Sequence, residues 1–320
     1  MTHPQISVVI PIYNRGALIG KTVASALAQD LASESVEILL VDDGSTDDTW
    51  TVLQSLYASH PQIRLFRLEN GGVARARNFG LEQARGEFIA YLDHDDLWKP
   101  QKLRLQREAM QRSEKIGVVT CSWVSVDAAG EEMPPVIQFQ RQWWWRGRDG
   151  RAFPWVLLPH PLQFIRNPII SMTIPLIRTK SLRDVGGFDV QSVPSDDWDL
   201  WIRLAQRFDF AYVDEELACY VHHEGQQHRQ MRTTYASEMR ICEKYRVSWR
   251  KYPWVHFKQE CFRRKCRALI NHADATQALS EGNNKGLILL TIKAIFQRPD
   301  ILIMRRWHRL WLRALKGNFE

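Results

Sequence analysis

The chain has 320 residues, of which 45% are hydrophobic and 25% are charged, a composition typical of globular proteins that excludes disordered and collagen-like chains. Lys and Arg number 43 against 36 Asp and Glu, and the formal charge of +7 favours anionic ligands. Both signs of charge are interspersed along most of the chain, so we do not expect nucleic acid as a partner.

Five cysteines are scattered without the spacing of a disulfide framework or a zinc finger, which indicates reduced thiols. Residues 1–9 have neither the basic segment nor the apolar stretch of a signal peptide. We therefore expect a cytoplasmic protein.

Short apolar runs alternate with amphipathic segments in the first third of the chain. The predicted strands are residues 6–11, 36–41, 63–68 and 87–92. The predicted helices are residues 17–29, 73–84 and a segment from caps at Ser45–Asp48 to about Ala58. This alternation predicts right-handed βαβ units with a buried, mainly parallel sheet, whose ligands bind beyond the carboxyl ends of the strands.

The pattern continues less regularly after residue 100. The predicted elements are a helix at 102–113, strands at 117–126 and 211–221, and a capped amphipathic helix at 195–208. An irregular polar and aromatic stretch occupies residues 127–168, order returns at residues 174–178, and helices rich in Arg, Lys and Trp follow at the end. We predict an α/β domain over residues 1–230 and a basic, Trp-rich helical extension over residues 231–320.

Two acidic clusters follow predicted strands: Asp42-Asp43 after the second and Asp93–Asp96 after the fourth. Because the carboxyl ends of parallel strands meet at one edge of a sheet, the clusters should share a crevice. Asp43, Asp93 and Asp95 would repel one another there unless a cation or a donor-rich ligand lay between them. The spacing Asp93-x-Asp95 predicts a clamp for Mg²⁺ or Mn²⁺.

Five segments of the chain form a recognisable series. They are Ser7–Asn14 (SVVIPIYN), Val41–Asp47 (VDDGSTD), Gly71–Asn78 (GGVARARN), Tyr91–Asp96 (YLDHDD) and Asp196–Trp201 (DDWDLW). In this order they resemble the family 2 glycosyltransferases, inverting enzymes of GT-A fold that use nucleotide-diphosphate sugars. The resemblance covers about residues 5–225, and five segments in order are far more specific than any one alone.

The resemblance implies a donor site built from five of these residues. Pro11, Tyr13 and Asp43 would form the nucleobase pocket, with Asp43 accepting from the imide N–H of a pyrimidine. Asp93 would lie against the ribose. Asp95 would be a ligand of Mn²⁺ or Mg²⁺.

The resemblance also implies roles for later residues. Arg77 would contact the donor near the nucleoside, and Asn78 would either touch the ligand or brace the loops. Asp197 matches the general base, preceded by Asp196 where the family more often has Glu. His223 lies in a segment that resembles the family's Tyr-Arg-x-His and is a candidate metal or diphosphate contact, although Val stands in place of the Arg.

Candidate contacts to the acceptor are Trp143, Trp144, Trp145, Asp196 and Trp198. The three consecutive tryptophans would either stack on sugar faces or form a hydrophobic cover over the sheet, and the sequence favours neither. An acidic first turn also stabilises a helix through its dipole, which is the alternative reading of Asp196.

Basic residues interleave with Trp and Leu between residues 305 and 316, and Arg263–Lys265 is a further basic cluster. This composition is typical of a helix on an anionic membrane surface, and equally of helices that pack on a catalytic domain with a solvated basic face. We favour a peripheral position on the cytoplasmic face of the inner membrane, where a lipid-linked acceptor would lie. Charged residues interrupt residues 287–315, so a spanning helix is not expected.

These observations predict transfer of one sugar, with inversion, from a nucleotide-diphosphate sugar to a carbohydrate or lipid-linked acceptor. UDP is the expected nucleotide, and the expected setting is synthesis of a bacterial surface polysaccharide or glycan. A sugar-nucleotide nucleotidyltransferase is an alternative, but it would need a Gly-rich phosphate loop where Pro11–Gly16 has one Gly. A catalytically silent carbohydrate-binding or scaffold protein is another, and it would not need Asp95 and Asp197 together.

Overall fold

The computed structural model describes residues 4–127, 131–133, 167, 169, 171–222, 231–246, 250 and 253–280. The chain divides into two compact units. The first comprises residues 1–163, 167–191 and 196–225, and the second comprises residues 164–166, 192–195 and 226–320. The predicted boundary between residues 230 and 231 adjoins a segment outside the described residues and stays a prediction.

A mixed β-sheet forms the centre of the first unit. Its described strands are β1 (Ile6–Ile12), β2 (Val36–Asp42), β3 (Ile63–Arg67), β4 (Phe88–Tyr91), β5 (Leu97–Trp98), β6 (Ile116–Val126), β7 (Leu176–Arg178) and β8 (Asp209–Val221). They lie in the order β3-β2-β1-β4-β7-β6-β8-β5. The first four of that order run parallel, β7 is antiparallel to β4 and β6, β8 is parallel to β6, and β5 is antiparallel to β8.

Helices connect these strands. Those described in the first unit are α1 (Ile19–Leu27), α2 (Thr49–Tyr57), α3 (Val73–Gln83), α4 (Lys102–Met110), α5 (Thr179–Asp184) and α6 (Asp196–Ala205). All residues of β1 and β2 are buried, as is typical of parallel strands covered on both faces. The predicted α/β class with a mixed, mainly parallel sheet is confirmed.

The strand register brings three loops to one edge of the sheet. Ile12 of β1 pairs with Asp42 of β2, and Val9 of β1 pairs with Tyr91 of β4. The chain therefore leaves β1, β2 and β4 at the same edge, as the sequence predicts. The loops after these strands carry the acidic clusters.

Two short elements lie outside the predicted set. Strand β5 has two residues, too few to show an alternating pattern, and it exists because it pairs with β8. Helix α5 has six residues and ends before Gly186 and Gly187, both of which have positive φ. Such short elements depend on tertiary contacts more than on local sequence.

The start of α2 also differs in detail from the predicted caps. Asp48 occupies the N-cap position, but its side chain makes no capping hydrogen bond. The carboxylate of Asp47 instead accepts the backbone N–H of Thr49 at 3.0 Å. Hydrogen bonding by the Thr49 side chain, and to a smaller extent this backbone bond, lowers the pKa of Asp47.

The described α-helices of the second unit are α7 (Met231–Lys244) and α8 (Pro253–Ser280). The guanidinium of Arg263 contacts the carboxylates of Glu243 at 2.6 Å and Glu260 at 3.0 Å. Arg263 is buried, so this member of the basic cluster serves helix packing. The predicted C-terminal helices are confirmed over the described ranges, within which we find no helix long and apolar enough to span a bilayer.

Candidate active site

The loops after β1 and β2 are joined by hydrogen bonds. Asn14 has a left-handed backbone with φ of 52°. Its N–H donates to the Ser45 hydroxyl at 2.9 Å, and its side-chain oxygen accepts the N–H of Thr46 at 2.8 Å. These bonds fix the loop that begins after β1. Pro11, near the end of β1, is buried, whereas Tyr13, in the loop, is 42% exposed. An exposed ring on a fixed loop is available to a flat ligand such as a nucleobase.

Asp43 lies at the N-terminus of α3. Its two carboxylate oxygens accept the backbone N–H groups of Gly71 and Gly72 at 3.0 and 2.8 Å. The Asn70 amide donates to the Asp43 carbonyl at 2.9 Å. The positive end of the helix dipole therefore compensates this buried carboxylate. A carboxylate has further lone pairs, so the arrangement leaves acceptor capacity for an imide N–H.

Arg77, from the second turn of α3, bridges two acidic segments. Its Nη2 contacts Asp93 Oδ1 at 2.8 Å, and its Nη1 contacts Asp196 Oδ2 at 3.1 Å. Burial alone would lower the pKa of this guanidinium, but Asp93 and Asp196 outweigh burial and raise the pKa. Arg77 is therefore a charged group in the interior, held by two carboxylates.

These contacts correct one premise of the sequence analysis. Asp43 and Asp93 are not uncompensated carboxylates, because backbone amides hold the first and Arg77 holds the second. Repulsion among three bare carboxylates is thus not an argument for a cation. The case for a cation depends on Asp95.

His94 and Asp95 form the turn after β4. The Pro11 carbonyl lies 3.2 Å from Nδ1 of His94, and a carbonyl only accepts, so Nδ1 carries the proton. The other ring nitrogen, Nε2, lies 3.9 Å from Asp95 Oδ2. Burial lowers the pKa of His94, which favours the neutral ring beside the Asp95 carboxylate.

Asp96 anchors this turn to the rest of the sheet. Its carboxylate accepts the Thr173 hydroxyl at 2.6 Å and the Val221 N–H at 3.1 Å. Burial, followed by the charges of Asp93 and Asp95, raises its pKa. The bond to Val221 holds the end of β8, two residues before His223 in the sequence, next to the acidic turn.

The described residues fit a divalent cation in the type of ligand they offer. Asp95 supplies carboxylate oxygens, which Mg²⁺ and Mn²⁺ prefer, and the diphosphate of a nucleotide sugar supplies further oxygens. The charges of Asp93 and Asp95 are close enough to act on Asp96, so a cation here would reduce their repulsion. No group of three His, Cys, Asp or Glu that could hold a metal is found within the described ranges.

Asp197, in the first turn of α6, has the properties of a base. It is half-buried, its Oδ2 accepts the Asn167 amide at 2.9 Å, and its Oδ1 accepts the N–H of Trp198 at 2.7 Å. Burial and then the charge of Asp196 raise its pKa to about 7, against the opposing effects of these two hydrogen bonds and of Arg77. A carboxyl group with this pKa can accept a proton near neutral pH.

The remaining predicted site residues fall into two groups. Asp196 and Trp198 are 3% and 1% exposed, so an acceptor would reach either side chain only after local rearrangement. The others lie outside the described residues: Trp143, Trp144, Trp145 and His223. Their roles stay predictions.

Several residues that build the site were not predicted from the sequence. Thr173 binds Asp96 and also contacts Asp93, since its hydroxyl accepts the Asp93 N–H at 3.2 Å. Asn167 binds Asp197. Single polar residues between regular elements carry no periodic signal, and only their position in space gives them a role.

Comparison with known proteins shows which proteins the chain resembles. Residues 7–185 match the model of the family described as "Glycosyl transferase family 2". An uncharacterized glycosyltransferase of Rickettsia typhi is 32% identical over 215 residues, which is 67% of this chain and 62% of that one. The chain spans only 32% of a second such protein, from Rickettsia felis.

Two solved structures resemble the fold. S. aureus TarS 1-349 in complex with UDP has a TM-score of 0.55 at 16% identity, with 92% of each chain covered. The mannosyltransferase PcManGT from Pyrobaculum calidifontis, in complex with GDP-Man and Mn²⁺, has a TM-score of 0.61 at 18% identity, covering 99% of this chain and 88% of that one. The predicted GT-A fold is confirmed, and because the family model covers more than half of the sequence, the chain belongs to glycosyl transferase family 2.

Proposed function

We propose that this protein transfers one sugar from a nucleotide-diphosphate sugar to a hydroxyl group of a carbohydrate or lipid-linked acceptor, with inversion at the anomeric carbon. The observation that carries the proposal is Asp197, a half-buried carboxylate at the start of α6 with a pKa raised to about 7. Single displacement needs such a base to take the proton of the attacking hydroxyl.

The donor side of the proposal rests on the edge formed by β1, β2 and β4. Tyr13 supplies an exposed ring for the nucleobase, and Asp43 supplies an acceptor fixed by two glycine amides. Asp93, fixed by Arg77, would receive a ribose hydroxyl. UDP is the nucleotide we propose, because an imide N–H matches a carboxylate acceptor, and TarS supports this choice through its UDP complex.

Asp95 would hold Mn²⁺ or Mg²⁺, with His223 as a second ligand. When bound, the cation would offset the negative charge that builds up on the departing diphosphate. PcManGT supports a metal of this kind, since its complex contains Mn²⁺. The protein's own contribution is to position Asp95, through the hydrogen bonds that Asp96 makes with Thr173 and Val221.

A panel of nucleotide sugars tests the proposal. UDP-glucose, UDP-galactose, UDP-N-acetylglucosamine and GDP-mannose would be added with Mn²⁺, and both the melting temperature and the release of nucleoside diphosphate would be measured. We expect a UDP-sugar to raise the melting temperature and to be turned over slowly with water as acceptor. If donors raise the melting temperature but none is turned over, even with pooled oligosaccharide or lipid-linked acceptors, the result would favour a catalytically silent binding protein.

A further inference from the structure

Arg77 connects the two halves of the proposed site. We name residues 93–96 the donor loop. Arg77 contacts Asp93 in this loop at 2.8 Å and Asp196 in the first turn of α6 at 3.1 Å. Asp196 immediately precedes the proposed base, Asp197, so one buried side chain spans from the donor loop to the helix that carries the base.

The surroundings of Arg77 hold it in one place. Its guanidinium carbon lies 5.5 Å from the centre of the Phe188 ring. That ring packs edge-on against Tyr91 at 5.1 Å, and the Tyr91 hydroxyl donates to the Arg77 carbonyl at 3.3 Å. Asn78, the next residue in α3, fixes the backbone of Phe188 with two hydrogen bonds of 2.8 Å. A side chain held in this way can set the position of its partners.

We propose that Arg77 is a positioning residue for the transfer reaction, which holds Asp196 and with it the first turn of α6 against the donor loop. This inference rests on the proposed function, and it revises the sequence-based prediction that Arg77 contacts the donor. Both terminal nitrogens of Arg77 are already engaged by carboxylates of the protein itself. Its effect on the chemistry comes from holding Asp196, which precedes Asp197, and from the action of its charge on Asp197.

The charges around Asp197 give this inference a signed test. Among the described residues, the charged groups with the largest effect on Asp197 are Asp196 in its own helix and Arg77 in α3, while Asn167 is a neutral donor. Asp196 raises the pKa of Asp197 and Arg77 lowers it. Removing one charge or the other should therefore move the pH dependence of the reaction in opposite directions.

The experiment measures donor hydrolysis from pH 5 to 9, using the nucleotide sugar with the highest turnover in the panel. We expect Arg77→Met to shift the acidic limb of kcat to higher pH by about one unit and to lower kcat at least tenfold, since a small misplacement of a reacting group is costly. The KM of the donor should change less than threefold. Asp196→Asn, which keeps the shape of the side chain, should shift the limb to lower pH.

Arg64 offers a matched control, because its Nη1 makes a 3.0 Å ion pair with the buried Glu37 in another part of the sheet. Arg64→Met should lower stability and leave the pH limb in place. Hydrogen exchange adds a readout that needs no turnover: amides of residues 196–200 should exchange faster in Arg77→Met and at the wild-type rate in Arg64→Met.

The outcomes separate the inference from the proposed function. Suppose that the acidic limb of the kcat profile in wild type depends on Asp197. If this limb does not move in Arg77→Met or Asp196→Asn, or moves in the same direction in both, the proposed role of Arg77 is overturned and the proposed function is left intact. If Arg77→Met does not fold, the direction of the limb in Asp196→Asn decides. If the wild-type protein turns over no donor, the proposed function itself is contradicted. In that case hydrogen exchange still tests the positioning role, and amides of residues 196–200 that exchange at the wild-type rate in Arg77→Met would overturn it.

Discussion

The side-chain amide of Asn78 forms two hydrogen bonds with the backbone of Phe188. Its Nδ2 donates to the Phe188 carbonyl and its Oδ1 accepts the Phe188 N–H, both at 2.8 Å. Asn78 therefore braces a distant loop, as one of its two sequence-based roles requires, while a contact with the ligand stays a prediction. This pair ties α3 to the segment that precedes α6.

The two hydrogen bonds between Asn78 and Phe188 require a glycine at position 187. Gly187 has a φ of 69°, and a Cβ there would lie 2.5 Å from the Asn78 oxygen. Gly186 also has a positive φ, but no atom of the described residues lies within 4 Å of the position of a Cβ there. We expect Gly187→Ala to lower the free energy of unfolding by about 1 to 2 kcal/mol more than Gly186→Ala, because only the first disturbs the two hydrogen bonds. Equal losses in urea denaturation would contradict the bracing role.

Adjacent residues of the donor loop should have separable roles. Asp95→Ala should abolish turnover that depends on Mn²⁺ or Mg²⁺ while the protein stays folded. Asp96→Ala should cost about 2 kcal/mol or more, because it leaves the Val221 N–H and the Thr173 hydroxyl without their buried acceptor. Denaturation curves and donor turnover with and without EDTA measure both effects. Full activity in Asp95→Ala, or in wild type under EDTA, would exclude the metal role.

The pKa of Asp197 predicts a pH dependence of stability. Its pKa in the folded protein, about 7, lies above the ordinary value of 3.8, so the folded state binds this proton more tightly than the unfolded chain does. The contribution of Asp197 to the free energy of unfolding is present below about pH 4 and is lost as the pH rises through about 7. Asp197→Asn should therefore raise the melting temperature more at pH 8 than at pH 5. The same increment at both pH values would contradict a raised pKa.

The basic, Trp-rich sequence after residue 285 leads to a separate prediction. The full chain should co-sediment with phosphatidylserine-containing vesicles at low salt and be released as salt rises, because such attraction is screened within about 8 Å at physiological ionic strength. Phosphatidylcholine vesicles serve as the control. If a chain lacking residues 285–320 sediments equally well, this segment is not the membrane contact.

The sequence predicted the sheet and the acidic edge because both have local signatures. Continuous apolar runs such as Ile6–Ile12 indicate buried parallel strands, and strand order then brings Asp43 and Asp93 to one edge. The partners of these carboxylates had no such signature. Nothing in the sequence shows that Arg77 reaches Asp196, 119 residues away, or that Thr173 binds Asp96, because these contacts exist only after the loops are folded. Trp198 shows the opposite case, a role predicted from a motif that burial makes difficult. The sequence suggested that it contacts the acceptor, but its side chain is 1% exposed.

The most direct test of the central claim compares donor binding with sugar transfer in Asp197→Asn at pH 8. We expect the calorimetric Kd for the donor to stay within about threefold of wild type, because the proposed donor contacts lie in other segments. Transfer should fall by about 10² to 10⁴, the usual cost of losing a positioned general base. Asp196→Asn should keep at least a tenth of the wild-type rate at this pH. Reversed phenotypes would place the base at Asp196, and wild-type transfer in both variants would contradict the mechanism.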